Sequence, residues 1–269
     1  MISFSTCTRG PRGGRSSEFA EGILVRDGDR DLTGEGMGIG SVALRTTDFT
    51  YFPQNSRTVH DNDEVSRIFL LDTRIVWRFG GITSVRLTGL MEKLVSWYMT
   101  HPTLQNVLLP LCGLRGVARL EPGSEVMEPV AEAQFFYRVE DSGIQVSCTI
   151  QSLQGPLPDI WLLNELGADI FTASLQEGRL LPPPPGWEAL KVGLPTPALY
   201  DPSRSLWFRV ARVMTAPPVT SRVFWGREKS KELNWAGFGI RLNPGGSMKV
   251  GCTYCIEFGG AGATGMTLI

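Results

Sequence analysis

The densest group of ionisable side chains is His60-Asp61-Asn62-Asp63-Glu64, one histidine and three carboxylates within five residues. Crowded carboxylates raise one another's pKa values, and histidine titrates near neutral pH. The segment reads either as an acid–base site with His60 and Glu64 as its working groups or as a polar loop between strands. Glu35 is a third candidate, set within Gly34-Glu35-Gly36-Met37-Gly38-Ile39-Gly40. Glycines at period two fall on one face of a strand and leave it bare. Such a face receives a helix, sheet or ring by close packing, or lets a ligand lie flat with Glu35 beside it. In the catalytic reading Glu35 and Glu64 serve as acid and base and His60 assists. A dinucleotide loop would need a helix after the glycines, whereas Ser41 to Arg45 has the composition of a strand.

The second chemical feature is Phe224-Trp225-Gly226-Arg227-Glu228, followed by a charged stretch ending at Asn234-Trp235. It reads as two strands joined by a charged hairpin. Flat apolar faces rimmed by hydrogen-bonding groups suit sugars and other polar rings. Trp225 and Trp235 are therefore candidate platform residues, with Arg227 and Asn234 as polar contacts. Arg45, Arg74, Arg78 and Arg209 lie in strand-like surroundings. An arginine buried in a sheet needs a partner, such as Asp72 or Glu35, or binds an anion; Arg45 joins the ligand-binding set on this ground.

Metal and cofactor motifs are incomplete. Counting twelve positions from Asp27 puts Leu32 and Gly38 where a calcium loop needs glycine and glutamate. Two histidines, His60 and His101, exclude a three-histidine zinc site. Cys252-Thr253-Tyr254-Cys255 is a lone CxxC whose flanks read as strand, so its thiols point to opposite faces rather than to a helix N-terminus. No metal and no cofactor are expected.

The elements that must carry these residues are mostly short β-prone runs. Asp27-Gly28 marks a hairpin between 19–26 and 30–33. Strands are expected at 41–45, 67–79, 131–139, 144–151, 169–175, 206–213, 220–225, 236–242 and 249–258. Helical spacing of Leu90, Met91, Leu94, Val95, Tyr98 and Met99, followed by a second apolar run, predicts a helical insert near 88–112. A further helical turn is expected between Pro158 and Gly167. Pro182 to Pro185 reads as a stiff crossover, and the chain as a single domain over 1–269.

The chain has 269 residues, 42% hydrophobic and 20% charged, with a formal charge of −1. This is globular composition with no global field for nucleic acid or anionic membrane. An odd count of five cysteines argues against a disulfide framework and for a reducing, cytoplasmic setting. No segment reaches the roughly 20 apolar residues of a membrane helix. Residues 1–17 read as an exposed loop or as a targeting segment.

These features predict a mainly β or α+β fold, a large antiparallel β-sandwich with the helical insert, or alternatively a closed β-barrel. Three functions compete. The first is an enzyme or binding protein for a small polar ligand, such as a saccharide, on a sheet face. The second is a non-enzymatic assembly protein that uses the apolar insert to dock a partner or form a homo-oligomer. The third is an apolar-ligand carrier with a barrel interior. The residues do not decide between enzyme and binding protein.

Overall fold

The computed structural model describes residues 2–5, 22–33, 38–46, 49–54, 56–61, 64–79, 82–85, 120–176, 178–191, 196–229, 234–260 and 267–268. Among these it has twenty strands. In chain order they are β1 (Ile2–Ser5), β2 (Leu24–Asp27), β3 (Arg30–Asp31), β4 (Gly38–Arg45), β5 (Thr50–Phe52), β6 (Ser56–Asp61) and β7 (Glu64–Phe79). Then come β8 (Ile82–Val85), β9 (Leu120–Glu140), β10 (Gly143–Ser152), β11 (Asp159–Gly167), β12 (Ala173–Gln176), β13 (Arg179–Leu181) and β14 (Gly186–Ala189). The last are β15 (Ala198–Asp201), β16 (Leu206–Ala216), β17 (Thr220–Lys229), β18 (Asn234–Asn243), β19 (Lys249–Gly260) and β20 (Thr267–Leu268). No described residue is helical, so none forms a helix able to cross a membrane. The expected insert at 88–112 lies outside the described residues.

One large sheet runs β13-β12-β15-β16-β19-β10-β9-β7-β5-β4-β11-β18-β17-β14, with β6 and β8 beside β7. Among the described residues all its strand pairs are antiparallel. The order ends at β13 and β14 rather than closing, so the sheet is not a barrel. A small sheet, β20-β1-β2-β3, joins it at the Ile23–Ile39 bridge. Strands on both sides of the tetraproline, β11 and β18, pair directly.

The sheet is folded over an interior core. Phe208 of β16 and Phe238 of β18 are far apart in strand order, yet their rings meet at 5.5 Å and 88°. Side chains alternate accordingly. In β10, Ile144, Val146, Cys148 and Ile150 are buried core residues. In β11, Ile160, Leu162 and Leu166 face the same core. Phe4 of the small sheet packs on Phe258, and ion pairs Arg30–Asp201 and Arg204–Asp27 tie its hairpin to the 201–205 turn.

Three local expectations are corrected. Residues 159–167 form strand β11, so the helical turn expected between Pro158 and Gly167 is absent: the period that matters is the two-residue alternation of Ile160, Leu162, Asn164 and Leu166, all buried. The strand expected at 169–175 begins only at Ala173, because 168–170 is a turn in which Ile170 N–H and Phe171 N–H both donate to Gly167 O. The first hairpin turns at Gly28-Asp29, one residue later than expected, with Asp27 paired to Arg30 and Gly28 at φ 59°.

The interior is held by one polar knot. Between Leu163 and Asn164 the β11–β4 register shifts, and Gly40 becomes a bulged residue with φ 77°. Its N–H donates to Asn164 Oδ1 at 3.1 Å, and its carbonyl accepts the Tyr137 hydroxyl at 3.1 Å. Tyr254 donates to the same Asn164 oxygen at 3.0 Å, and Asn164 Nδ2 donates to Phe238 O. A Cβ on Gly40 would stand 2.8 Å from the Tyr137 hydroxyl. Gly38 serves a second close approach, since its Cβ would lie 2.7 Å from the Gly22 backbone. The described part of the glycine series therefore supports packing; Gly34, Glu35 and Gly36 lie outside the described residues.

Replacing Asn164 with Leu keeps the volume but strands the Gly40 N–H and the Tyr254 hydroxyl in the core. Each buried group left without a partner costs about 1–3 kcal/mol. Urea unfolding of Asn164→Leu should show a loss on the order of 3 kcal/mol, and an unchanged midpoint would refute the role given to the knot.

Candidate functional site

The outer face of β11, β18, β17 and β14 carries a stripe of aromatic rings. Cross-strand register places Glu165, Gly237, Gly226 and Trp187 in one row. The next row holds Gly167, Trp235 and Glu228, and the row on the other side holds Leu163, Gly239, Phe224 and Ala189. Three glycines thus lie between the large side chains. The absence of Cβ atoms lets indoles rest on the backbone. A Cβ on Gly239 would touch Trp161 at 3.2 Å and Trp187 at 3.5 Å.

Trp187 stacks on Trp235 with centroids 4.1 Å apart and planes at 18°. Trp161 lies 6.3 Å from Trp187 and 4.8 Å from Phe224, over which Arg222 sits at 5.7 Å. Trp235 is almost fully covered, whereas Trp161, Trp187 and Phe224 keep part of their surface open.

Two carboxylates border the stripe. Burial pushes Glu165 up to about 7, and it has no hydrogen-bond or ion-pair partner among the described residues. Burial also raises Glu228, although a hydrogen bond from Trp235 opposes the shift. The buried Trp161 Nε1 likewise has no acceptor. Acceptor and aromatic surface are thus present together, with a carboxyl whose pKa burial raises to about 7. Among the described residues no group of three His, Cys, Asp or Glu side chains could hold a metal ion.

The residues expected from the sequence are only partly gathered here. Trp235 is on the stripe, but Trp225 packs into the interior core. Ten positions of separation would suggest a hairpin pair on one face. The actual register pairs Trp225 with Phe238 and Trp235 with Glu228, and odd-numbered 225 in β17 falls on the face opposite to odd-numbered 235 in β18. Trp187 takes the place expected of Trp225. Arg227 donates to Ala168 O at 2.9 Å, and Asn234 to Asp169 Oδ1 at 3.1 Å, so both hold the turn after β11 at the strand ends. Asn234 Oδ1 is buried without a partner among the described residues. Arg45 shares the outer face, opposite Asp159, beside the Arg241–Asp159 ion pair.

Glu35 lies outside the described residues, as do the side chains of His60 and Glu64. The backbone places His60 and Glu64 at the tip of the β6–β7 hairpin, with Asp61 opposite Glu64. β7 is separated from β17 by β5, β4, β11 and β18. Of the remaining arginines, Arg74 pairs with Glu125 at 2.6 Å and Arg209 with Glu257 at 2.9 Å. Glu165, Trp161 and Trp187 escaped sequence reading. The first two sit in the segment read as helical, and the only available signal was the alternation of Trp161, Leu163 and Glu165 against the buried series.

The raised Glu165 has a definite sign in stability. Its folded pKa exceeds the ordinary glutamate value of 4.5, so the folded state binds the extra proton between those values and stability falls as pH rises through that window. Glu165→Gln removes the buried charge. The variant should match the parent near pH 4 and exceed it by about 2 kcal/mol at pH 8. Denaturation curves at the two pH values check this; a pH-independent difference would contradict it.

No protein-family model matches the chain, and no curated protein matches it. Among solved structures it is similar to HI1317, with 8% identity, TM-score 0.34, and 77% of this chain and 65% of that chain covered. It is similar to a 4-alpha-glucanotransferase from Thermococcus litoralis, with 9% identity, TM-score 0.36, and 85% and 27% covered. A candidate aldose 1-epimerase from Escherichia coli K12 gives 8% identity, TM-score 0.38, and 89% and 97% covered. The chain spans less than two thirds of the length of the first two. With every one of these TM-scores below 0.5, the likeness carries no function to this chain.

Proposed function

We propose that the protein binds a small polar ring ligand, of saccharide type, on the outer face of β11, β18, β17 and β14. The observation that carries this reading is the unpartnered Glu165 carboxyl in the row that ends at the Trp187–Trp235 stack. A structural carboxylate half-buried beside indoles would ordinarily have a cation or several N–H donors, because leaving it unpaired costs stability. A ligand hydroxyl supplies the missing donor.

The parts then have distinct roles. The open surface of Trp187 and Trp161 takes the apolar face of the ring. Glu165 and Glu228 accept hydroxyl hydrogen bonds. Near pH 7 Glu165 exists in both protonation states, so the same group could give a proton to a ligand oxygen or remove one. Any reaction at this face would be proton transfer coupled to bond cleavage or isomerisation; binding alone needs only the hydrogen bonds.

The test is tryptophan fluorescence and ligand-observed NMR with a panel of soluble mono- and oligosaccharides. Loss of an aromatic contact worth about 1 kcal/mol weakens binding roughly fivefold or more, so Trp187→Ala should lower affinity by at least that factor. Glu165→Gln should lower it and abolish its pH dependence between 6 and 8. Trp225→Phe, on the opposite face, should leave affinity unchanged. Absence of binding across the panel, or binding indifferent to Trp187→Ala, would reject the proposal.

A further inference from the structure

The outer face that carries the indoles continues into a row of cations. Register sets Ala43 of β4, Trp161 of β11, Arg241 of β18 and Arg222 of β17 in one line across the sheet. Leu190 N–H donates to Val223 O at 2.8 Å, which extends the β14–β17 ladder one pair beyond Ala189–Phe224. The next position along brings the exposed Lys191 level with Arg222. One row further, Arg45 stands opposite Asp159. Asp159 accepts from both Nε and Nη2 of Arg241. Arg222 and Lys191 have no ion pair among the described residues.

Like charges directly opposed across a ladder repel, and Arg222 is directly opposite Arg241. Asp159 offsets only one of the two. An aromatic ring holds Arg222 in place: its Cζ lies 5.7 Å from the centre of Phe224, which packs 4.8 Å from Trp161. The residue is exposed and makes no hydrogen bond to another described side chain. A planar guanidinium seated on an aromatic face, with its N–H fork open, is suited to bidentate recognition of a carboxylate or phosphate.

We propose that the ligand of this face is an anionic saccharide, whose carboxylate or phosphate monoester is held by Arg222 with Lys191 and Arg241 beside it. It rests on the ring-binding reading of the indole stripe and adds the charge and direction of the bound molecule. The face is electrically polar. Glu165 and Glu228 stand at one end, where they accept hydroxyl hydrogen bonds and repel an anion. The cations stand at the other. Gly226 shares the row of Glu165, and Arg222 lies four residues from it along β17. At about 3.4 Å per residue the two ends are roughly 13 Å apart, longer than one sugar ring. Trp187 lies in the Glu165 row and Trp161 in the Arg222 row, so each end has its own indole. The ligand that fits is an acidic disaccharide, with its acid group on one ring and the hydroxyls that meet the carboxylates on the other.

The experiment titrates the full chain by calorimetry with two matched pairs: cellobiose against cellobiouronic acid, and trehalose against trehalose 6-phosphate. An acidic member should bind about tenfold more tightly than its neutral partner, the worth of a charge-assisted hydrogen bond, and added salt should shrink that preference. Preference within the first pair identifies a carboxylate as the anion, and within the second a phosphate. Arg222→Met should remove most of the preference and leave affinity for the neutral partner unchanged, which also reports that the variant is folded with its indole face intact. Arg222→Lys should restore part of it, because the charge returns without the fork. Lys249→Gln, on β19 in the other half of the sheet order, should change nothing. Equal binding of acidic and neutral members, or a preference that survives Arg222→Met, would overturn this assignment and leave the ring-binding reading standing. Binding by none of the four sugars would reject both.

Discussion

The bulge at Gly40 is the constraint around which the two layers are organised. A bulged residue leaves ladder groups without strand partners, and a buried backbone group without a partner is costly. Here one amide and one phenol fill the gap: Asn164 takes the N–H and Tyr137 caps the carbonyl. Because Tyr137 lies on β9 and Tyr254 on β19, satisfying one kink in β4 joins strands that are distant in the sheet order. The hydrophobic core supplies the driving force for folding the sheet over. The polar knot selects which residues meet when it does so, since any other alignment would bury the same groups unpaired.

The same alternation that buries Asn164 turns Glu165 outward. Side chains in a strand change face at every residue, so placing Leu162, Asn164 and Leu166 in the core commits Trp161, Leu163 and Glu165 to the other face. On β18 the buried series Ala236, Phe238, Ile240 and Leu242 leaves Trp235, Gly237 and Gly239 outside. The glycines clear the floor, and indoles from β11, β14 and β18 occupy it. Core packing and the indole face are two consequences of one register. Cys148 and Cys252 illustrate the inner side of that rule: both carry the parity of the core, and antiparallel pairing makes them opposite.

Much of the strand pattern was legible. The runs at 41–45, 67–79, 131–139, 144–151, 206–213, 220–225, 236–242 and 249–258 all lie within observed strands. The antiparallel reading followed because helical periods did not alternate with strand periods. The error at 158–167 arose because Leu162, Leu163 and Leu166 fit both a helix and a strand over so short a window. What settled it was the pair of neighbours, β4 and β18, that the segment acquires on folding. The tryptophan platform failed for a related reason. Trp225 and Trp235 are close in sequence and lie on adjacent strands, but the hairpin register assigns them to opposite faces.

The sequence by itself determined that this chain builds antiparallel sheet, where many strands run, and that its glycine series serves extended backbone around Gly38 and Gly40. Those are local properties, carried by two-residue periodicity and turn composition. Only the tertiary structure decided that Trp187 rather than Trp225 partners Trp235, that Glu165 shares their face with its pKa raised by burial, and that Cys148 meets Cys252 across more than a hundred residues of chain. The physical reason is that these relations depend on strand order and register. Both are set by long-range pairing and by the satisfaction of buried polar groups, neither of which is written in any short window of sequence.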